Sequence, residues 1–393
     1  MTPAAAAPDA SLRRWRILGG LIVSGFFLAL PGGLLPLWGY HMRADFGTAA
    51  DYFLFLGAGL GAGAWFALRL RGRMDGSRLF MSGCFGGSAA LLLLSVAAPP
   101  SAFWFQALAV FMAGASAGAI NTAVFESIAH AYEANPAGVT LTGGIFFGIG
   151  SMLAAYLMAR CVDASSPARI LMLAAVAPAA AGILLGRQKF SVSRVAAVPI
   201  AQTVHDLRSP LAILFALLLF FQFASEWSIA GWLPVFLIDR LGISPGAAVM
   251  LLCLYWFALT AGRVVTARLL PFVSHIRMLA VSAFCALFGC TALLAAGTRF
   301  GSVAGILLTG VGFSAIYPLA AERIASRFSY YHPGYFNGIF TFAMMGGILA
   351  PFLLGHAAAV SGLRVIPLAA MLGSCAVFAL ILLIWLGRKV SGS

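Results

Sequence analysis

Long, uninterrupted apolar stretches follow one another along almost the whole chain. Each stretch is about as long as the roughly 20 residues that an α-helix needs to cross the hydrocarbon core of a bilayer. The stretches are continuously apolar and do not alternate with polar residues, as the strands of a membrane barrel would. The pattern therefore predicts an all-α membrane protein with twelve transmembrane helices, at about 17–40, 50–70, 78–98, 102–130, 138–161, 167–186, 210–238, 245–270, 276–297, 300–325, 334–359 and 363–387.

Composition supports membrane insertion and excludes a soluble domain. The chain is 62% hydrophobic and 9% charged, with a mean hydropathy of +0.99, whereas soluble domains have about 25% charged residues. Its net charge of +13 might suggest a nucleic-acid partner, but most of the 24 lysines and arginines fall on one side of the predicted topology. This bias follows the positive-inside rule. We expect a multi-pass protein of the bacterial inner membrane with both termini in the cytoplasm and no nucleic-acid partner.

The N-terminal apolar stretch follows three arginines, Arg13, Arg14 and Arg16, and so imitates a secretory signal peptide. However, it is too long for a signal peptide, contains Pro31 and Pro36, and ends without a small-residue cleavage site. We interpret it as the first membrane helix.

A polar segment in the middle of the chain divides the predicted helices into six and six. The predicted organisation is a cytoplasmic N-terminus (1–16), an N-terminal six-helix bundle (17–186), a cytoplasmic linker (187–209), a C-terminal six-helix bundle (210–387) and a cytoplasmic C-terminus (388–393). Connections elsewhere are too short to hold a soluble catalytic domain, so we do not expect an enzyme.

The two halves are weakly similar to each other in sequence. Gly114 matches Gly310 and Gly150 matches Gly346 at one constant offset, and the region from Gly33 to Pro36 matches the region from Gly231 to Pro234 at nearly the same offset. Two repeats in the same orientation predict a binding site between them near the middle of the membrane, with access alternating between the two sides.

Short motifs extend this pattern to a known family. They are Glu226-x5-Trp232, Gly262-Arg263, Tyr317-Pro318, and Gly346-Gly347 with Pro351. The chain resembles the major facilitator superfamily over essentially its whole length, and within it the fucose-permease-type sugar transporters. The resemblance implies two pseudo-symmetric six-helix bundles that move a sugar or sugar-like solute, with coupling to protons.

The chain also departs from that family pattern. The loop after the second helix keeps only Gly72-Arg73 of the superfamily signature, with Arg69 at the position of an acid. Ala117 stands where fucose-permease relatives carry an acid, and no acid occurs within 17–40. Proton-driven efflux of amphipathic compounds is therefore the alternative function, and import of a hydrophobic or chelating metabolite is a third.

Glu226 is the leading candidate for chemistry, because it lies near the centre of the apolar stretch Leu211 to Ile238. A charged residue at that depth costs roughly 3 kcal/mol on insertion scales and is functional by default. We expect Glu226 to have no basic residue at its depth and to bind a proton or the substrate. Gln222 lies one turn away on the same helix face, so we expect it to address the same cavity and bind the substrate too. The structural alternative is a protonated Glu226 that is hydrogen-bonded to a neighbouring helix.

Other residues are candidates for substrate binding. Aromatic faces stack on sugar rings or receive cations, and amides within a membrane bind substrate or another helix. The candidates, placed on cavity-lining helices by the family resemblance or within predicted helices, are Trp227, Trp256, Tyr317, Asn121 and Asn337. Trp38 and Trp232 instead fit interfacial anchors, and the six histidines, mostly at helix ends, receive no role.

Two acids near the cytoplasmic ends of their helices are candidates for a gate. Glu126 and Glu322 are repeat mates, and each is expected to pair with basic residues of its own half. The expected partners are Arg69, Arg71 and Arg73 for Glu126, and Arg263 and Arg268 for Glu322. The candidate gate residues are Glu126, Glu322, Arg69, Arg73 and Arg263. We expect no cofactor and no metal, a proton gradient or alternatively a sodium gradient as the driving force, a small-molecule substrate, the lipid bilayer as surroundings, and a monomer.

Overall fold

The computed structural model describes residues 14–70, 73–99, 101–188, 190, 200–333 and 337–390. Twelve helices within these residues are long and apolar enough to cross a membrane. They are α1 (Arg14–Leu37), α2 (Phe46–Leu70), α3 (Gly76–Val96), α4 (Phe103–Ser127), α5 (Pro136–Val162), α6 (Pro167–Gly186), α7 (Pro210–Leu241), α8 (Pro245–Leu269), α9 (His275–Ala295), α10 (Arg299–Arg327), α11 (Ile339–Ser361) and α12 (Val365–Leu386).

The twelve predicted helices are confirmed, with ends that shift by a few residues. Helix α10 is interrupted between Ser314 and Ile316, because Pro318 has no N–H to donate to the carbonyl of Ser314. Three short helices lie in the connections, at Tyr40–Arg43, Ala129–Ala134 and Ile200–Asp206. We call the end of the bundle at which α6 ends and α7 begins the linker side and the opposite end the distal side.

Matched glycines pack the two halves in the same way. A Cβ on Gly150 in α5 would lie 1.9 Å from the carbonyl oxygen of Ile22 in α1, and a Cβ on Gly346 in α11 would lie 2.2 Å from that of Phe220 in α7. Backbone therefore touches backbone at equivalent crossings, as small residues permit in membrane helices. The repeat seen in the sequence is thus also a repeat in packing.

A second pair of glycines repeats the pattern at another crossing. A Cβ on Gly114 in α4 would lie 2.1 Å from the carbonyl oxygen of Leu56 in α2, and a Cβ on Gly310 in α10 would lie 2.8 Å from that of Tyr255 in α8. The fourth helix of each half thus rests on the second helix of the same half. These crossings hold each six-helix bundle together.

The two halves meet backbone to backbone where α1 crosses α7. A Cβ on Gly32 would lie 2.4 Å from the carbonyl oxygen of Ala230. Gly33 and Gly231 are repeat mates, and Gly32 and Ala230 are the residues directly before them. The contact therefore joins equivalent positions of the two repeats, which places it on the pseudo-twofold axis.

The described part of the linker is tied to the C-terminal half. Asp206, which is 8% exposed, accepts hydrogen bonds from the hydroxyls of Tyr330 and Tyr331 and from the amide of Gln202. Burial alone would raise the pKa of Asp206, but these hydrogen bonds outweigh it and hold that pKa below its usual range. The predicted N-terminus up to residue 13, the expected gate partner Arg71, linker residues 189 and 191–199, and residues 391–393 lie outside the described residues.

Two tryptophans are buried where the sequence predicts interfacial positions. Trp38 and Trp232, expected at the membrane interface, are both buried. The Trp38 ring packs against Tyr52 with 5.0 Å between ring centroids, and Trp232 Nε1 donates to the carbonyl of Pro351 at 2.9 Å. The interfacial interpretation is therefore wrong. Position near a helix end does not reveal which face of the helix a side chain occupies.

We predict that Gly150→Ala destabilises the protein by about 1–3 kcal/mol, because the added methyl forces α1 and α5 apart. Gly61→Ala is the matched control, since a Cβ on Gly61 meets nothing within 4 Å. Thermal unfolding in detergent, followed by the loss of monodisperse protein on gel filtration, measures both variants. Equal melting temperatures for the two would contradict the packing argument.

Candidate functional site

A cavity of about 150 Å³ lies between the two halves. Helices α1, α2, α4 and α5 of the first half and α7, α8, α10 and α11 of the second contribute to its wall. The wall is mostly apolar. Its charged and polar side chains are those of Asn121, Thr140, Glu226, Arg263 and Tyr317, together with the indoles of Trp227 and Trp256.

Glu226 and Arg263 form a buried ion pair on this wall. Glu226 Oε1 lies 3.8 Å from an Arg263 terminal nitrogen, and the residues are 4% and 6% exposed. The expectation that Glu226 has no basic neighbour at its depth is therefore wrong. Arg263 lies late in α8, but helical side chains lean toward the helix N-terminus, so its long side chain extends back to mid-membrane.

The same guanidinium also contacts the other half of the molecule. Arg263 Nη1 donates to the carbonyl of Gly144 in α5 at 2.6 Å. A Cβ on Gly144 would lie 2.9 Å from both Cδ and Nε of Arg263, so only glycine leaves room for the guanidinium there. Arg263 thus joins the acid of one half to the backbone of the other.

Gln222 lies behind Glu226 and is not part of the cavity wall. Its side-chain amide donates to Glu226 Oε2 at 3.1 Å and to the carbonyl of Phe313 at 3.5 Å. The prediction that Gln222 shares the face of Glu226 agrees with this contact, but the predicted position in the cavity is wrong. Gln222 instead orients the carboxylate from the protein side.

Two N–H groups on the wall are buried without hydrogen-bond acceptors. Among the described residues, Arg263 Nε and Trp256 Nε1 find no partner. Buried polar groups are normally satisfied, and an exception calls for an explanation such as a ligand. Both groups are donors, so the arrangement fits a bound molecule that offers hydrogen-bond acceptors.

Aromatic rings cover much of the remaining wall. Trp227 packs edge-on against Trp256 with 5.9 Å between centroids, and Phe147 of the other half contacts both indoles. Tyr317 stands against Phe223 at 5.0 Å. The structure thus brings together Glu226, Trp227, Trp256, Tyr317 and Asn121.

Asn337 does not belong to this group. It precedes α11, outside any helix, and its side-chain oxygen accepts a hydrogen bond from the backbone N–H of His332 at 3.1 Å. The predicted place of Asn337 within a membrane helix is wrong, because α11 begins at Ile339. Its side chain serves the α10–α11 loop.

The predicted gate residues separate in the structure. Arg263 lies with Glu226 and not with Glu322, whose Oε2 is instead 3.2 Å from His275 Nδ1. The expected pairing of Glu322 with the basic residues of α8 is therefore wrong. These basic residues were placed by chain position alone, which gives no side-chain direction.

The first-half gate residues lie at the linker side. Glu126 is buried at the linker-side end of α4, whereas Arg69 and Arg73 are exposed. The Arg69 guanidinium lies over the Trp65 ring, 5.1 Å from its centroid, which is within cation–π distance. A gating role for Glu126, Glu322, Arg69 and Arg73 stays a prediction.

Histidines that sequence reasoning passed over join the two halves on both sides of the cavity. On the linker side, the rings of His332 and Tyr132 are 4.5 Å apart between centroids. On the distal side, His356 Nε2 lies 3.2 Å from Asp51 Oδ1. His332 lies in the loop before α11, and His356 lies within α11 near its distal end. Their position near the two ends of this helix was the sign that the sequence offered. Within the described residues, no group of three His, Cys, Asp or Glu is placed to hold a metal ion.

We predict that Gly144→Ala displaces the Arg263 guanidinium and weakens its bond to the residue 144 carbonyl, lowering thermal stability by about 1–3 kcal/mol. The neighbouring variant Gly143→Ala is the control, because a Cβ there meets only the ends of Leu21 and Leu18, at 3.0 Å and 3.6 Å. Thermal unfolding of both variants in detergent tests the difference. A Gly143→Ala loss as large as the Gly144→Ala loss would contradict it.

We also predict that the linker-side contact weakens on acidification. Burial lowers the pKa of His332 from 6.5 to about 3, so the contact is fully stable above about pH 6.5 and loses stability as the pH falls toward 3. At pH 5 the loss is up to about 2 kcal/mol.

Hydrogen exchange of residues 128–134 and 331–333, compared at pH 7.5 and pH 5 after correction for intrinsic rates, measures this loss. His332→Phe should remove the pH dependence, whereas His130→Phe, at an exposed site, should keep it. Unchanged protection in the wild type at pH 5 would contradict the prediction.

Comparison with known proteins agrees on the fold. The sequence matches no protein-family model and no curated protein. The structure is similar to the E. coli fucose:proton symporter FucP, with a TM-score of 0.64 and 17% identity over 93% of this chain and 98% of the symporter. The structure is also similar to FucP in its outward conformation, with a TM-score of 0.63 and 17% identity over 94% of this chain and 98% of that chain.

The human organic anion transporter MFSD10 (TETRAN) is similar as well, with a TM-score of 0.64 and 15% identity over 96% of this chain and all of that chain. These likenesses cover 93–96% of this chain, and together with the paired glycine crossings they establish the architecture. The chain has the two-bundle, twelve-helix fold of the major facilitator superfamily transporters.

Proposed function

We propose that the chain is a secondary transporter that carries a small organic solute by alternating access and couples its movement to proton binding at Glu226. The observation that carries this proposal is the Glu226–Arg263 pair on the wall of a cavity between two pseudo-symmetric halves. Solute sites at repeat interfaces near the membrane midplane are typical of such transporters.

Alternating access needs closures that open on either side of the site. The Tyr132–His332 contact on the linker side and the Asp51–His356 contact on the distal side both join the two halves. Both are made by side chains at helix ends and loops, which separate without unfolding a helix. Glu126 and Glu322 remain candidates for the linker-side closure.

The ion pair suggests how a proton is coupled to the solute. Arginine stays protonated throughout the physiological range, so the charge balance of the cavity depends on Glu226. With Glu226 ionised, the two charges offset each other. When Glu226 takes up a proton, Arg263 presents a net positive charge to the cavity, and an acceptor group of the solute takes the place of the carboxylate.

The cavity wall bears on the solute class. The family resemblance and the similarity to a fucose:proton symporter suggest a sugar, whose many hydroxyls each need a partner. This wall is mostly apolar, and its unpartnered groups are donors. It therefore supports the alternative of an amphipathic solute, and an aromatic or aliphatic carboxylate fits best. The similarity to an organic anion transporter agrees with that choice.

Orientation and setting complete the proposal. The basic bias of the linker side supports a cytoplasmic position for both termini and the linker, and the setting that we propose is a bacterial inner membrane. The protein works as a monomer, with protons as the coupling ion and sodium as the alternative. The same closures serve import and export.

We predict that Glu226→Gln abolishes transport driven by a pH gradient but retains counterflow of the same solute, because binding and rocking continue without the titrating group. Proteoliposomes tested with a sugar panel, an aromatic carboxylate panel and a cationic dye panel identify the solute class. Glu133→Gln is the matched control, since Glu133 is exposed on the short linker-side helix.

Proton-driven uptake that is unchanged in Glu226→Gln would contradict the coupling role. Transport of sugars alone would reject the amphipathic solute while leaving the coupling intact. Dependence on a sodium gradient in the absence of a pH gradient would select sodium as the driving ion.

A further inference from the structure

A second cavity, of about 240 Å³, lies within the C-terminal half and away from the central site. We call it the linker-side groove, because it opens among the linker-side ends of α7, α9, α10 and α12. Its inner wall is apolar, with Leu211 and Phe215 from α7, Ile276 and Leu279 from α9, and Ile381 and Ile384 from α12.

The mouth of the linker-side groove is basic. Arg323 and Arg327 lie one turn apart on α10 and both line the groove, so their side chains share one helix face. His275 lines it too, and His275 is 3.2 Å from the carboxylate of Glu322, which offsets charge at that edge. The two arginines are left as an excess of positive charge.

Neither arginine is neutralised by a side chain in the part of the chain that the structure describes. Among the described residues, Arg323 and Arg327 have no ion pair or side-chain hydrogen bond. Ser326, between them, also lines the groove and donates its hydroxyl to the carbonyl of Arg323 at 2.8 Å. Two guanidinium groups one turn apart offer the paired donors that bind phosphate oxygens well.

The apolar wall of the groove continues into the lipid-facing surface. On α12, Trp385 at the groove edge is followed by Leu386, and Leu382 and Leu383 precede it. These four side chains are 37–53% exposed. An apolar groove that is open to the bilayer and capped by basic residues at the membrane surface matches an amphiphile with a negative head.

We infer that the linker-side groove binds an anionic phospholipid, with the phosphate at Arg323 and Arg327 and part of one acyl chain along the apolar wall. The two arginines favour a negatively charged headgroup, and the apolar wall favours an acyl chain. A soluble phosphate would bind the arginines but leave the apolar wall unfilled. A zwitterionic lipid would fill the wall but bring a cationic group to the two arginines.

The inference does not depend on the transported solute, so its test measures lipid binding alone. Delipidated protein in detergent is titrated with dioleoyl phosphatidylglycerol or dioleoyl phosphatidylcholine, and bound lipid is counted by native mass spectrometry. The wild type should prefer phosphatidylglycerol. Replacing both arginines (Arg323→Ala with Arg327→Ala) should weaken phosphatidylglycerol binding about tenfold or more.

Two controls match this change. Replacing Arg268 and Arg277 by Ala removes the same charge from exposed positions outside the groove and should leave binding unchanged. Ile276→Trp fills the groove while retaining both arginines, and it should also weaken binding. The groove-filling variant decides the question even where the double arginine variant does not fold.

Several results would overturn the inference. Equal binding of the two lipids would contradict the lipid site. Binding as tight as in the wild type by both the Arg323/Arg327 variant and the Ile276 variant would also contradict it. A competition measurement completes the test: inorganic phosphate or glycerophosphoglycerol is added to the phosphatidylglycerol-bound protein at the concentration of the lipid. Full displacement by either would assign the groove to a soluble anion.

Discussion

The central cavity depends on the burial of one carboxylate and one guanidinium together. Each charge alone would be costly at this depth, and the two are tolerated because they face each other and share further hydrogen bonds. Gln222 holds the carboxylate from behind, and the Gly144 carbonyl holds the guanidinium from the other half. Removal of either charge leaves its partner uncompensated. The pair thus constrains three helices and sets the electrostatics of the cavity.

The scaffold around this pair is made almost entirely of small-residue crossings. Lipid tails are as apolar as the helices, so helix association relies on close packing and not on exclusion of water. Gly150 against Ile22 and Gly346 against Phe220 show how the chain achieves this in both halves. Larger side chains meet between the halves, where Phe147 of the first half contacts Trp227 and Trp256 of the second.

The sequence was sufficient for the architecture and for part of the site. Helix number follows from the length of the apolar stretches, and the offset between Gly114 and Gly310 reports an internal repeat that packing reproduces. Prediction failed where long side chains cross between helices. The guanidinium of Arg263 on α8 pairs with Glu226 on α7, and positions along the chain do not show which side chains of two helices meet.

Similar reasons explain the other differences. Asn337 was placed in a helix because the flanking residues are apolar, but α11 starts two residues later. His332 and His356 contact residues of the other half that are far away in sequence, and these partners, Tyr132 and Asp51, belong to no motif. Such pairings arise from tertiary geometry, and no local pattern encodes them.

The contact between Gly32 and Ala230 has a mechanical consequence. It joins the two halves backbone to backbone at equivalent positions of the repeat, with no side chain between them to lengthen or bend. Any side chain added at residue 32 would meet the carbonyl of Ala230 and force α1 and α7 apart, so the two backbones themselves set the distance between the halves at this point. The contacts at Tyr132–His332 and Asp51–His356 carry no such limit, because they are made by side chains that can turn away from each other.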